Sequence, residues 1–403
     1  MEQDILIVGT VSDDPFAIDV AHHFGQTAEP SDLVALKHFA NSEFCPRFIS
    51  DEHDFTHIGT RLSGRSVVIV STCCGAHTRN ALAMRTLLVA RAAKDNGAER
   101  VVLVEPNLFY SAQDRGPRPE HGETAHRRSL QDLKKFDGQP FSALLYAQIL
   151  RAGGVDGVVT VHNHSSAVAR LYTREFNGHF HDLSPASLFA HYLDNESLDF
   201  PGETQNGLVL CAPDAGAAAF VNEVHGHFME ANRLRLLRPS VDILLMQKAR
   251  SGERQVEIGV APTSPSPGTV VKDRTVVVLD DMVRTGHTIV ECCRVLKEAG
   301  AARVVFLVTH FYSSDEVKEN LNDPAIDEIV TTNTLPQILN RDMQGRLRKK
   351  MLVLKLEKWI AAFLRKHLCD VPIPRQQGLY SIDISSKNPR WRPNQQWPNT
   401  TQS

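Results

Sequence analysis

Residues 274–314 read RTVVVLDDMVRTGHTIVECCRVLKEAGAARVVFLVTHFYSS, and the order of residue types in this stretch points to one architecture. A β-branched apolar run ends in two carboxylates, Asp280 and Asp281. A polar turn, Arg284-Thr285-Gly286-His287-Thr288, opens an amphipathic helical stretch that closes at a Gly-Ala corner before a second apolar run. Run, turn, helix, corner and run describe a βαβ unit, and continuous rather than alternating apolar runs belong to parallel strands buried on both faces. Residues 65–111 repeat the order: RSVVIVSTCC, a helical stretch, then GAERVVLVEPNLFYS. Any two βαβ units share that outline. The matching Gly-Ala corners and Phe-Tyr-Ser ends favour a duplicated α/β domain.

Further strands follow from ILIVG near the start, VDGVVTVHNH, GLVLCAPDAG and VDILLMQKAR. Each candidate reactive group sits just after such a strand, where parallel sheets present loops and helix N-termini to ligands. Residues 116–140, rich in Pro, Gly and charge, read as an insertion, and 251–270 as a mobile arm after Lys248. The expected domains are 1–165 and 166–368, with 369–403 a disordered tail poor in apolar periodicity.

Forty-four Lys and Arg against 47 Asp and Glu leave a net charge of −3, which gives no electrostatic reason for nucleic-acid or anionic-membrane binding. The opening MEQDILIVGTVSDD has no basic, apolar leader pattern, and no apolar run reaches the length of a membrane span, so a cytoplasmic protein is expected. The seven cysteines include two adjacent pairs, Cys73-Cys74 and Cys292-Cys293, without C-x-x-C spacing. Buried reduced thiols account for them.

The turn after Asp281 aims backbone amides and Thr hydroxyls at one point, where the helix dipole also favours an anion, so a phosphate fits there. The two carboxylates beside it suit sugar hydroxyls or Mg²⁺. The plainer alternative is a capped helix with Thr285 or Thr288 as its N-cap.

This strand, Asp-Asp, x₃, T-G-x-T, helix pattern resembles the PRPP loop of type I phosphoribosyl folds. Other segments resemble the ribose-phosphate diphosphokinase (PRPP synthetase) family: Tyr110-Ser111-Ala112-Gln113-Asp114-Arg115, Thr160-Val161-His162-Asn163-His164, Ala212-Pro213-Asp214-Ala215-Gly216, Lys248-Ala249-Arg250, Phe39-Ala40-Asn41-Ser42-Glu43, and Thr332-Asn333-Thr334-Leu335-Pro336. The resemblance runs from residue 5 to about 366. It implies two tandem type I phosphoribosyltransferase-like domains, each a mostly parallel sheet flanked by helices. It further implies transfer of pyrophosphate from ATP to the 1-hydroxyl of ribose 5-phosphate, with Mg²⁺, in a homo-oligomer whose nucleotide site is shared between subunits. Residue by residue, Lys248 and Arg250 are implied as catalytic; Phe39, Asn41, Glu43 and Gln113 as ATP-binding; and His164 and Asp214 as metal-binding. Asp280, Asp281, Arg284, Thr285, Gly286, His287 and Thr288 are implied to bind ribose 5-phosphate.

The sequence departs from the family pattern at several positions. Arg284 replaces an acid, His287 a glycine, Ala112 an arginine, Asn41 an acid and His162 an aspartate, while Thr78-Arg79 stand where Asn-Asp is usual. Two further readings follow: a catalytically weak regulatory paralogue, or a diphosphotransferase or phosphoribosyl enzyme with an altered acceptor.

Overall fold

Uninterrupted apolar strands need cover on both faces, and the computed structural model supplies it. It describes residues 5–74, 77–122, 128–195, 207–233, 241–250, 256–260, 267–372 and 379–383. One compact unit comprises Met1–Leu188, Asn333–Gln337 and Lys355–Ser381; the other comprises Phe189–Thr332, Ile338–Leu354 and Ile382–Ser403.

The first unit runs β1 (Ile5–Gly9), α1 (Pro15–Phe24), α2 (Pro30–Leu33), β2 (Val34–His38), β3 (Phe44–Phe48), β4 (Ser66–Val70), α3 (Arg79–Asp95) and β5 (Arg100–Val104). It continues through α4 (Leu130–Lys135), α5 (Ser142–Ala152), β6 (Gly157–Val161), α6 (Ser166–Glu175) and β7 (Phe180–Leu183). Five strands pair in parallel in the order β1-β4-β5-β6-β7, while β2 and β3 form a separate antiparallel hairpin. Alternate residues of β4 enter different cores: Val67 and Ile69 join Leu82 and Val89, whereas Val68 and Val70 join Phe16 and Val20. Both faces are dry, so the run shows no polar alternation.

The second unit is built from α7 (Ala186–Asn195), β8 (Leu208–Ala212), α8 (Ala218–Ala231), β9 (Val241–Arg250), β10 (Val256–Val260), α9 (Pro267–Val270), β11 (Thr275–Val283) and α10 (His287–Glu298). Then come β12 (Arg303–Phe311), α11 (Asp315–Leu321), β13 (Glu328–Thr332), α12 (Arg341–Gln344) and β14 (Met351–Lys355). Helix α13 (Glu357–Cys369) belongs to the first unit, where Ile360 and Leu364 share a core with Phe16 and Val20. The sheet order of the second unit is β10-β9-β8-β11-β12-β13-β14, followed by β15 (Ser381–Ile382) at the edge.

The two sheets share one connectivity: β1-β4-β5-β6-β7 repeats as β8-β11-β12-β13-β14. The likeness reaches side chains. Lys94 pairs with Asp156 at 2.7 Å, and that carboxylate accepts the Val101 N–H at 2.7 Å. Lys297 pairs with Asp327 at 2.6 Å, and that carboxylate accepts the Val304 N–H at 2.7 Å. Both Gly-Ala corners turn through a left-handed glycine, Gly97 at φ 88° and Gly300 at φ 94°.

The structure shifts or adds detail to four of the expected segments. The first unit extends past 165 to Leu188, because α6 covers and β7 pairs with its sheet. Within 116–140 the chain is organised around Arg128, whose guanidinium donates to the Gly116 carbonyl at 2.7 Å, the Arg118 carbonyl at 3.1 Å and Asp132 at 2.6 Å. Residues 123–127 of that stretch lie outside the described residues. The arm expected at 251–270 contains β10 and α9; β10 pairs antiparallel with β9, setting Ile258 opposite Lys248 and Val256 opposite Arg250. Residues 251–255 and 261–266 lie outside the described residues. In the expected tail, Cys369 closes α13, Leu379 is buried in the core, and the Asp383 N–H donates to the Val353 carbonyl at 2.9 Å. Residues 373–378 and 384–403 lie outside the described residues. Among the described residues, no helix is long and apolar enough to cross a membrane.

One part of the first unit is built against acid. His367 on α13 lies 4.2 Å from the His181 ring on β7, stacks on Phe363, and has Arg100 at 3.1 Å. Burial, then His181, Arg100 and His179, lower His367 to about 4, and burial with Arg100 and His179 lowers His181. Because the folded values lie below the ordinary histidine value, stability is greatest above about pH 6.5 and falls as pH drops toward 4. A His367→Gln variant should lose less melting temperature than the wild type between pH 7 and pH 5 when thermal melts are compared.

Candidate active site

In the second sheet the order β9-β8-β11-β12 sends the chain from β8 toward one edge and from β11 toward the other. Such a switch point leaves a crevice at the carboxyl ends of the two strands, the usual ligand position in open parallel sheets. Asp214 stands just beyond β8, its Oδ1 accepting the Gly216 N–H at 2.8 Å ahead of α8. Asp280 and Asp281 lie on β11. The strand was expected to end at them, yet it continues to Val283, because Met282 and Val283 are buried and pair with His310 and Phe311. Asp280 Oδ1 accepts the Asp281 N–H at 2.9 Å. Loss of hydration, then the Asp281 carboxylate, with Asp214 contributing, holds the Asp280 carboxyl well above the usual carboxylate range.

The turn that follows depends on Gly286. Its φ of 86° is left-handed, and a Cβ there would meet Leu321 Cδ2 at 3.2 Å. Gly286, rather than Thr285 or Thr288, is the N-cap of α10, and no side chain caps this helix. By contrast Asp14, Thr78 and Ser314 cap α1, α3 and α11 through side-chain oxygens. First-turn amides without a side-chain partner are open to an external anion. His287 replaces a small residue at the mouth of the turn, but its ring leans to α11, where Nε2 lies 3.2 Å from Glu316 Oε1. Asn320 on the same helix donates to the Thr285 carbonyl at 2.7 Å. Arg284 and Thr285 are exposed, and Thr288 is half-buried.

Lys248 and Arg250 end β9, the neighbour of β8; their side chains lie outside the described part of the structure. The remaining candidates belong to the first unit. Phe39, Asn41 and Glu43 form the tip of the β2–β3 hairpin, closed by Phe39 N–H to Glu43 O at 2.9 Å and Asn41 Oδ1 accepting the Glu43 N–H at 3.2 Å. Phe39 is 47% exposed, with the Lys37 ammonium 5.3 Å from its ring centre. Gln113 and His164 occupy adjoining loops: Asp114 Oδ2 accepts the Ser165 hydroxyl at 2.7 Å. His162, at φ 46°, and Asn163, whose N–H donates to Asp182 at 2.9 Å, shape the His164 loop.

Among the described residues, no three His, Cys, Asp or Glu side chains form a ready metal cage. Mg²⁺ is commonly held by one or two carboxylates plus substrate phosphates. The oxygen donors of Asp214, Asp280 and Asp281 fit that requirement better than the His164 imidazole does.

Sequence reasoning overlooked the α11 residues that brace the loop. Glu316 and Asn320 act on residues about thirty positions earlier and carry no motif; the only signal was the capping pattern Ser314-Asp315-Glu316 before a helix. Asn333, in the Thr332–Pro336 segment, has a supporting place. Its Oδ1 accepts the Leu356 N–H at 2.9 Å, and its Nδ2 donates to buried Glu357 at 2.6 Å.

Comparison with known proteins agrees with this fold. Residues 5–133 match the model of the N-terminal domain of ribose phosphate pyrophosphokinase, and residues 246–366 match that of the phosphoribosyl synthetase-associated domain. The Saccharomyces cerevisiae protein named ribose-phosphate pyrophosphokinase 2 is 26% identical over 302 residues, covering 73% of this chain and 78% of that protein. The crystal structure of phosphoribosylpyrophosphate synthetase from Mycobacterium smegmatis shares the fold at a TM-score of 0.67 and 20% identity, across 92% of this chain and all of that one. In both halves, the chain is thus similar to the ribose-phosphate pyrophosphokinase (PRPP synthetase) family.

Proposed function

We propose that this chain is a ribose-phosphate diphosphokinase, an ATP-dependent diphosphotransferase acting on ribose 5-phosphate to give PRPP and AMP. The observation that carries the reading is the helix start without a side-chain cap at Gly286, set beside the Asp280–Asp281 pair at a sheet switch point. The first turn of α10 with Thr285 and Thr288 takes the 5-phosphate, and Asp280 and Asp281 accept the ribose hydroxyls. Phe39 stacks on adenine, with Asn41, Glu43 and Gln113 as its polar contacts. The 1-hydroxyl attacks the β-phosphorus, the bond to the α-phosphate oxygen breaks, and AMP leaves. Lys248 and Arg250 stabilise charge on the transferring group, work that a loose transition state requires. Asp214, with substrate phosphate, would hold Mg²⁺, which would supply charge neutralisation; His164 is the other metal residue of this reading and would act through water. A hairpin-tip aromatic left 47% exposed suits a nucleotide site completed by a second copy of the chain, so we read the protein as a homo-oligomer. Cys74, Cys211, Cys292 and Cys293 are buried thiols, which suits a reducing compartment and is in keeping with a cytoplasmic enzyme.

The match of 246–366 to a synthetase-associated domain, together with Arg284 and His287, favours one second reading, a partner chain with little turnover of its own. Purified protein given MgATP and ribose 5-phosphate should form AMP and PRPP in equal amounts. Absence of both products, with tight binding to an active synthetase chain, decides for the second reading. In the active protein Lys248→Ala should lower kcat by about 10²–10³-fold while ribose 5-phosphate affinity, read by calorimetry, stays within a few-fold. Asp280 carries a cost that ligand or cation relieves. Its folded value lies above the ordinary one, so the cost is present at neutral pH and vanishes as pH falls through the ordinary carboxylate range. Asp280→Asn should therefore melt higher than the wild type at pH 7, by about 2–4 °C per kcal/mol relieved, with the gap closing near pH 4 and with turnover lost.

A further inference from the structure

Glu105 directly follows β5, is wholly buried, and takes no part in the chemistry above. Its Oε2 accepts the Phe109 N–H at 2.8 Å, and its Oε1 lies 2.9 Å from the Tyr146 hydroxyl on α5. The Tyr146 ring is 6.2 Å from that of Phe109 and 5.1 Å from that of Tyr110. Tyr110 holds a left-handed backbone at φ 60°, anchored by its hydroxyl to Asn80 at 2.6 Å. The Tyr110 carbonyl accepts the Gln113 N–H at 2.9 Å, and the Gln113 carbonyl accepts the Ala143 N–H at 3.3 Å, back on α5. The contacts thus close a ring from Glu105 through Phe109, Tyr110 and Gln113 to α5 and Tyr146. A left-handed tyrosine persists only where its surroundings over-determine it, and Glu105 with Tyr146 forms the floor of those surroundings.

We propose that Glu105 is a positioning residue that sets nucleotide affinity by fixing, through Phe109 and Tyr146, the loop that presents Gln113. The proposal rests on the reading of Gln113 as a nucleotide contact. Burial raises the Glu105 carboxyl to about 8, while the Phe109 N–H, the Tyr146 hydroxyl and the Arg79 charge draw it back. Tyr110, Tyr172 and Cys73 are the other titratable groups around the pair. Near pH 7 the group is therefore an acid, with a carbonyl oxygen for Phe109 and a hydroxyl for Tyr146. A glutamine offers the same two functions without titrating; a leucine offers neither. Above about pH 8 the wild type holds a buried anion, and the loop weakens.

The test compares wild type, E105Q and E105L by steady-state kinetics from pH 6.5 to 9 and by amide hydrogen exchange over residues 106–115 without ligand. E105L should raise KM for MgATP by about fivefold or more, the factor left by one unpaired buried donor, with kcat and KM for ribose 5-phosphate little changed and exchange in the loop faster. E105Q should match the wild type at pH 7 and lack its rise in KM above pH 8. Should E105L fail to fold, the pH comparison with E105Q decides alone. Identical KM–pH profiles for wild type and E105Q, or wild-type exchange in E105L, overturn the proposal. If no chain turns over MgATP, the functional reading fails, and the exchange rates alone judge the positioning role.

Discussion

A parallel sheet covered by helices on both faces has no room for unpaired polar groups except at its strand ends, and this constraint organises the molecule. Val67 to Val70 and Val276 to Leu279 are fully buried, so no ligand chemistry fits along the strands. Where β11 nears its end, two carboxylates appear, and dehydration with the neighbouring carboxylates holds the Asp280 carboxyl well above the usual carboxylate range. Next to them α10 starts without a side-chain cap. Each feature alone destabilises the empty protein, one by repulsion and the other by leaving first-turn amides without a side-chain acceptor. On the proposed reading, a phosphorylated sugar with its matched charge pattern would offset both deficits at once.

The fold was legible because its signal is local and repeated. Continuous β-branched runs, Gly-Ala corners and the interval between them sufficed to read two βαβ units in tandem, and the matched Lys–Asp braces show how far the likeness goes. The Asp280–Thr288 turn was legible as a candidate anion site for the same reason: it is one unbroken stretch of sequence, although its braces on α11 were not visible there. Boundaries were harder. That β7 completes the first sheet and that α13 returns to the first unit are matters of long-range packing, which local composition does not encode. The segment 116–140 reads only as an insertion in sequence, because its polarity is visible there and the carbonyls gathered by the Arg128 guanidinium are not.

The substitution of His287 for a small residue shows the same limit from the other side. Read along the chain, an imidazole at the mouth of the turn threatens close approach by phosphate. In three dimensions the ring is drawn toward Glu316, and the turn is braced by Asn320 and Leu321 of the same helix. The position therefore links the loop to α11, so a change on that short helix reaches the turn at Gly286.

The two helices that leave β4 and β11 are counterparts, yet Thr78 seals the first with its own hydroxyl and nothing seals the second. Counterpart positions thus differ by a single hydroxyl, which gives α3 an acceptor from its own side chain and leaves the first-turn amides of α10 without one.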